Sequence, residues 1–237
     1  MRLTAAVFAA TALAVTSANA TSIYTTTGGD LIVNSYNYQV YEDDGVQMTV
    51  TAGLYTDGAG VGDAVVTEGQ YGARPVVYGG AGTGVSHNEN DGEHTVDGLY
   101  PEILILSFDT TVKLTSILFN YVNDYGKFDL FIDSDDDGEL ERVLLDSDLD
   151  SGSDHVSLTS LLADHLLVGK LFGIGTSWAE EVCYWRHGRR KCDWKKSEWK
   201  LKKVRFEEVP DVPLPAALPL FMAGLAGFGF ATRKKKA

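Results

Sequence analysis

The stretch EILILSFDTTVKLTSILFNYVNDYGKFDLFID, residues 102–133, decides how this chain folds. Glu102–Phe108 and Val112–Val122 are rich in Ile, Leu, Val and Phe, and in Lys127–Asp133 the apolar Phe128, Leu130 and Ile132 alternate with polar positions. A repeat of two puts successive side chains on opposite faces of an extended backbone, so three strands are predicted here. Similar runs lie on either side: DLIVNSYNYQVY, VQMTVTAGLY and RPVVYG before it, HLLVGKLFGIG and WKLKKVRFEEV after it. Clusters of Gly, Asp, Asn and Ser such as TDGAGVGD and YGGAGTGVSHNENDGEH read as the turns and loops between them. Only LTSLLADHLL, residues 158–167, has helical spacing, enough for one short helix. About eight or nine short strands with frequent turn signals predict an all-β domain, an antiparallel β-sandwich of jelly-roll type.

The 237 residues carry a formal net charge of −13, unevenly spread. From Thr21 to Val182 there are 28 acidic residues against 5 basic, whereas Cys183 to Phe206 holds 10 basic against 2 acidic. An anionic body repels phosphate backbones, which argues against nucleic acid as the main partner. The opening residues MRLTAAVFAATALAVTSANA combine Arg2, an apolar run and the small Ala18 and Ala20 around Asn19. This is the three-part form of a secretory signal peptide cut by signal peptidase after Ala20; a retained N-terminal anchor is the alternative. The expected division is a signal peptide over 1–20 and one ectodomain over 21–209. Export to an oxidising compartment makes a Cys183–Cys192 disulfide the default reading of CYWRHGRRKC, where Cys-x-x-Cys spacing and a second pair of metal ligands are both missing.

Two segments hold residues suited to binding. In DSDDDGELE, Asp133, Asp135 and Asp137 stand at alternate positions before Gly138, the opening of a calcium loop, and Glu139 and Glu141 supply further oxygens. The position where an EF-hand carries its bidentate Glu is Leu144, and strands flank the loop, so this is a calcium-stabilised β-loop or else a solvated acidic turn. The basic segment and the residues just before it gather all four tryptophans, from Trp178 to Trp199, and Trp185, Arg189, Trp194 and Trp199 form a candidate surface for an acidic exopolysaccharide, with rings for sugar faces and cations for acidic groups. The competing reading is a basic hairpin folded onto the acidic body with its Trp rings in the core. No nucleophile elbow, phosphate loop or zinc-protease motif is present. Glu102, Glu139 and Glu141 are carboxylates of the type a glycanase pair uses, but nothing in the sequence pairs them, so a non-enzymatic protein with no catalytic residues is expected.

The C-terminal end gives the chain's destination. From 216 to 232 seventeen residues carry no charge, roughly 25 Å of helix at 1.5 Å per residue and barely enough to span a bilayer. Arg233 to Lys236 follow, and the positive-inside rule keeps them in the cytoplasm. Before the span, Val212, Pro213, Leu214, Pro215 and Ala216 spell VPLPA. Motif, short span and basic end together resemble the VPLPA-CTERM variant of the PEP-CTERM sorting signal, recognised by membrane-embedded exosortases of Gram-negative bacteria. The likeness covers about the last 26 residues; more loosely, the β-rich body is similar to the ectodomains found before such signals. It implies a motif and linker over 210–216, a transmembrane helix over 217–232 and a cytoplasmic end over 233–237. It also implies an exosortase substrate, anchored in the inner membrane facing the periplasm before processing, then at the cell surface or outside, in systems associated with exopolysaccharide and biofilm. The alternatives are an anchor that is never processed and a calcium-dependent carbohydrate-binding module on the surface.

Overall fold

A computed structural model describes residues 20–56, 65–87, 94–162, 167–187 and 189–209. Its strands in the first half are β1 (Ala20–Tyr24), β2 (Leu31–Asn34), β3 (Gln39–Asp43), β4 (Val46–Thr56), β5 (Val65–Glu68), β6 (Arg74–Tyr78), β7 (Gly82–Ser86) and β8 (Val96–Asp97). The second half adds β9 (Glu102–Asn120), β10 (Lys127–Ile132), β11 (Glu141–Asp148), β12 (His155–Ser157), β13 (Val168–Thr176), β14 (Ala179–Arg186), β15 (Arg189–Lys196) and β16 (Glu198–Glu208). The pairings are antiparallel, so the all-β expectation holds.

The two segments read as separate strands, 102–108 and 112–122, are one 19-residue strand, β9, which stays extended through Asp109, Thr110 and Thr111. Its first half pairs with β4 on one edge and β13 on the other; its second half pairs with β16 on one edge and β12 on the other. One continuous sheet therefore curls over itself into two layers that share β9. Phe108 bridges them, edge-on to Phe172 of β13 at 5.9 Å and to Phe206 of β16 at 5.0 Å between ring centroids. Phe119 is likewise 5.0 Å from both Phe128 and Trp199.

The run Ile103-Leu104-Ile105-Leu106 does not alternate because both its faces are covered. Leu104, Leu106 and Phe108 enter the main core, while Ile103 and Ile105 join Tyr55, Phe131 and Leu140 in a smaller cluster on the other side. Further along, Ser116 faces Arg205 but Leu114 faces Phe206, which leaves Thr115 as an extra residue on β9. Opposite it, Leu201 faces Phe119 and Lys203 faces Leu118, so Lys202 is extra on β16. Each bulge shifts the alternation by one residue, so Leu114 and then Ile117, and Leu201 and then Val204, all point inward.

Other readings change. DLIVNSYNYQVY is a hairpin, β2 and β3, closed by a hydrogen bond from Ser35 N to Tyr38 O (2.9 Å). YGGAGTGVSHNENDGEH is not all loop, since β7 runs through it fully buried. Gly82 and Gly84 are required there because a Cβ would collide with the Leu201 carbonyl and the His94 carbonyl respectively. The helix in LTSLLADHLL is a single turn, Leu158–Leu161; residues 163–166 lie outside the described residues. So do the expected signal peptide up to residue 19, the VPLPA motif, the expected span and the basic end. Among the described residues no helix is long and apolar enough to cross a membrane.

Because Phe206 meets Phe108 across the two layers, Phe206→Ala is expected to lower stability by about 3–5 kcal/mol. The shift of the urea unfolding midpoint checks this; a change below about 1 kcal/mol would mean the layers are not held by this contact.

Candidate functional site

The acidic loop joins β10 to β11 and is held from below. Asp129 of β10 and Arg142 of β11 are fully buried with Oδ2 and Nη1 3.5 Å apart. Asp129 also accepts hydrogen bonds from Tyr55 Oη (2.6 Å) and Asp146 N (2.7 Å). On this base the buried Asp133 folds the loop over itself, accepting from Asp137 N at 3.2 Å and Gly138 N at 2.9 Å. Positive φ at Asp136 (63°) and Gly138 (88°) turns the backbone sharply enough for both bonds.

One carboxylate oxygen each from Asp133, Asp135 and Asp137 lie within 4.8 Å of one another. Oxygens bound to a common calcium at about 2.3–2.6 Å can be no farther apart than about 5 Å, so the spacing fits a hard cation that takes its remaining oxygens from backbone or water. The carboxylates of the other two expected ligands are not in this group of three. Glu141 accepts from Ser134 N (3.3 Å) and Ser134 Oγ (3.4 Å). Glu139 is exposed and, with Glu68, Val66, Ile105, Leu140 and Leu171, lines a cavity of about 400 Å³ beside the loop.

The basic segment forms a separate two-stranded arm, β14 and β15, and Cys183 and Cys192 face each other across it in the expected disulfide. An isolated hairpin is marginal in water, so the covalent link holds this one in register. Pairing of Trp185 with Arg190 and of Glu181 with Trp194 puts both tryptophans on the same face as the disulfide. Trp185 is 76% exposed and Trp194 55%, and Arg189 lies exposed at the tip opposite Arg186. Trp199 does not join them. It lies wholly buried in β16, with its indole N–H donating to Lys127 O at 2.9 Å, which corrects its assignment to the ligand surface.

No local pattern pairs Glu102 with another residue, and the structure supplies two partners. Glu102 is fully buried at the start of β9, with Oε1 2.7 Å from His87 Nδ1 and Oε2 accepting from Asp97 N at 2.9 Å. Asp97 in turn holds Lys196 Nζ at 3.1 Å, which ties the root of the arm to the body. The only sequence signal was a lone acid opening an apolar strand, and His87 is 15 residues away.

The chain matches no protein-family model and no curated protein, so its chemistry is read from its own residues.

Loss of hydration raises the Glu102 pKa from 4.5 to about 8, and the nearby Asp97 charge adds to this against the hydrogen bond from His87. Between those two values the folded chain holds a proton that the unfolded chain has released. This contribution to stability is therefore full below about pH 4.5, falls as pH rises and is gone above about pH 8. Glu102→Gln is expected to flatten the decline between pH 5 and 8, measured as unfolding midpoint against pH; an unchanged slope would assign it to other groups.

Proposed function

We propose that this chain is an exported, non-enzymatic surface or extracellular-matrix protein associated with exopolysaccharide or biofilm, with a jelly-roll-like ectodomain that an exosortase processes at the VPLPA motif. The observation that carries the reading is the order of Val212-Pro213-Leu214-Pro215-Ala216, an uncharged stretch and Arg233-Lys234-Lys235-Lys236. Prolines fix φ and withhold backbone donors, which favours an extended segment that a protease can grip. The placement of the folded body suits cutting at both ends. β16, hydrogen-bonded on both edges, ends at Glu208, and Val209 N still bonds Thr111 O at 2.9 Å, so removal of everything from the motif onward spares the core. A cut after Ala20 leaves Thr21 to Tyr24 of β1 paired with β16. The Cys183–Cys192 disulfide accords with an oxidising compartment. Before processing, the chain sits in the inner membrane facing the periplasm; afterwards it is at the surface or released.

Mass spectrometry of the C-terminus in cells with and without an exosortase gene tests this. The expected result is loss of the basic end only where the exosortase is present; persistence in both strains would establish a permanent anchor instead.

A second reading, a calcium-dependent carbohydrate-binding module, is favoured by the convergence of Asp133, Asp135 and Asp137 and by the exposed Trp185 and Trp194. Under it, Asp135→Asn weakens calcium binding in calorimetry, because the site loses one of its converging charges. Chelator also abolishes binding on a glycan array. Sugar binding that survives chelation would separate the arm from the loop.

A further inference from the structure

On the outward face of the layer containing β16, two rows of side chains run straight across four strands. Register puts Tyr24 of β1, Lys203 of β16, Leu118 of β9 and His155 of β12 in one row, and Ser22, Arg205, Ser116 and Ser157 in the next. Val204 and Phe206 are buried in the core, so the alternate Lys203 and Arg205 turn outward. Tyr24, Ser116, Leu118, His155, Lys203 and Arg205 line a cavity of about 250 Å³.

The lining is cationic on an acidic protein. Among the described residues neither Lys203 nor Arg205 is paired with a carboxylate. Lys203 Nζ donates to Tyr24 Oη at 2.9 Å and stands 4.3 Å from the centre of that ring. Arg205 Nε donates to Ser22 Oγ at 3.3 Å, leaving the terminal N–H groups of its fork for another acceptor. His155 Nε2 lies 3.1 Å from Ser116 Oγ. Of the neighbouring acids, Glu207 pairs with Lys113, while Asp30 accepts from Tyr24 N, Asp43 from the Ser22 backbone and Asp154 from Asp150 N, so these three point their oxygens at backbone donors rather than at Lys203 or Arg205. Residues two apart on a strand are about 7 Å apart, close enough for both cations to reach one anion. Charges beyond about 8 Å are largely screened at physiological ionic strength, so the distant part of the net −13 does not keep an anion from these two cations.

We propose that this cavity binds one acidic sugar unit, a ring bearing a carboxylate, sulfate or phosphate. The Arg205 fork and Lys203 take the oxyanion. Tyr24 and Leu118 offer apolar surface to the ring, and Ser116 and His155 are placed to hydrogen-bond its hydroxyls. Ligand pockets for drug-sized molecules begin at about 300 Å³, so a cavity below that size suits a single unit. The proposal uses neither the arm nor the acidic loop and does not depend on processing of the C-terminal end.

Calorimetry on the full chain tests it with glucuronate, glucose 6-sulfate, glucose 6-phosphate, glucose, inorganic phosphate, inorganic sulfate and a polyuronate. The expected result is saturable one-site binding of an acidic sugar at least tenfold tighter than glucose or either inorganic ion. Binding of a free monosaccharide identifies a soluble sugar acid as the ligand; binding of the polyuronate alone identifies a unit within a chain. Arg205→Gln and Lys203→Gln should each weaken binding at least tenfold with an unchanged unfolding midpoint, whereas Glu180→Gln, at an exposed position of the arm, and chelator should leave it as it was. Equal binding of glucose or of an inorganic anion, no binding of any acidic sugar, or wild-type affinity in both cavity variants would overturn the proposal.

Discussion

Hydrogen bonding along both edges of β9 is the constraint on which the rest of the architecture depends. Its first half is clasped by β4 and β13 and its second by β16 and β12, so the chain cannot form one layer without fixing where the other begins. The aromatic contacts follow from this. Phe108 lies just before the strand crosses between layers, and from there it reaches both Phe172 and Phe206. Most of these partners are far away in sequence, so the sheet forms only after long loops have closed, which makes its folding slow compared with a helical protein of this size.

Strand character was legible wherever a segment is covered on at least one face. Residues 127–133, 46–55 and 199–209 read as strands because their apolar positions recur with the pleat, and β10, β4 and β16 lie there. Joining two segments into β9 was not legible, since Asp109, Thr110 and Thr111 look like a turn and stay extended only because β16 and β13 hold the residues beyond them. Gly82–Ser86 was hidden for the opposite reason: contact with neighbouring backbone is so close that the glycines cannot be replaced by the apolar residues that mark a strand. The bulges left a trace as adjacent polar pairs, Thr115-Ser116 and Lys202-Lys203, inside otherwise alternating runs.

The candidate sites divide along the same line. Alternating carboxylates in 133–137 are a local pattern, so their convergence could be anticipated, as could a disulfide between two nearby cysteines in a chain expected to be exported. Glu102 with His87, and Lys203 with Tyr24 and His155, are assembled by strand pairing across long separations, which no local pattern encodes. Trp199 illustrates the limit from the other side. It shares a basic, tryptophan-rich segment with Trp185 and Trp194, yet only those two belong to the arm, because Ser197 N bonds Trp178 O and closes the hairpin before β16 enters the core.

The bulge at Lys202 connects stability with the outward chemistry of β16. Without an extra residue there, the alternation that buries Trp199 and Leu201 would continue to Lys203 and Arg205, placing two cations in the core and Val204 and Phe206 in water. An unpaired buried charge costs several kcal/mol, far more than a bulge, so the core itself selects the slipped register. That same slip aligns Lys203 with Tyr24 and Arg205 with Ser22, because β1 pairs with β16 only beyond the bulge. The cationic face is therefore held by the packing of Val204 and Phe206 beneath it and needs no contacts of its own to stay in place. Its lysine and arginine can remain without carboxylate partners while the fold loses nothing.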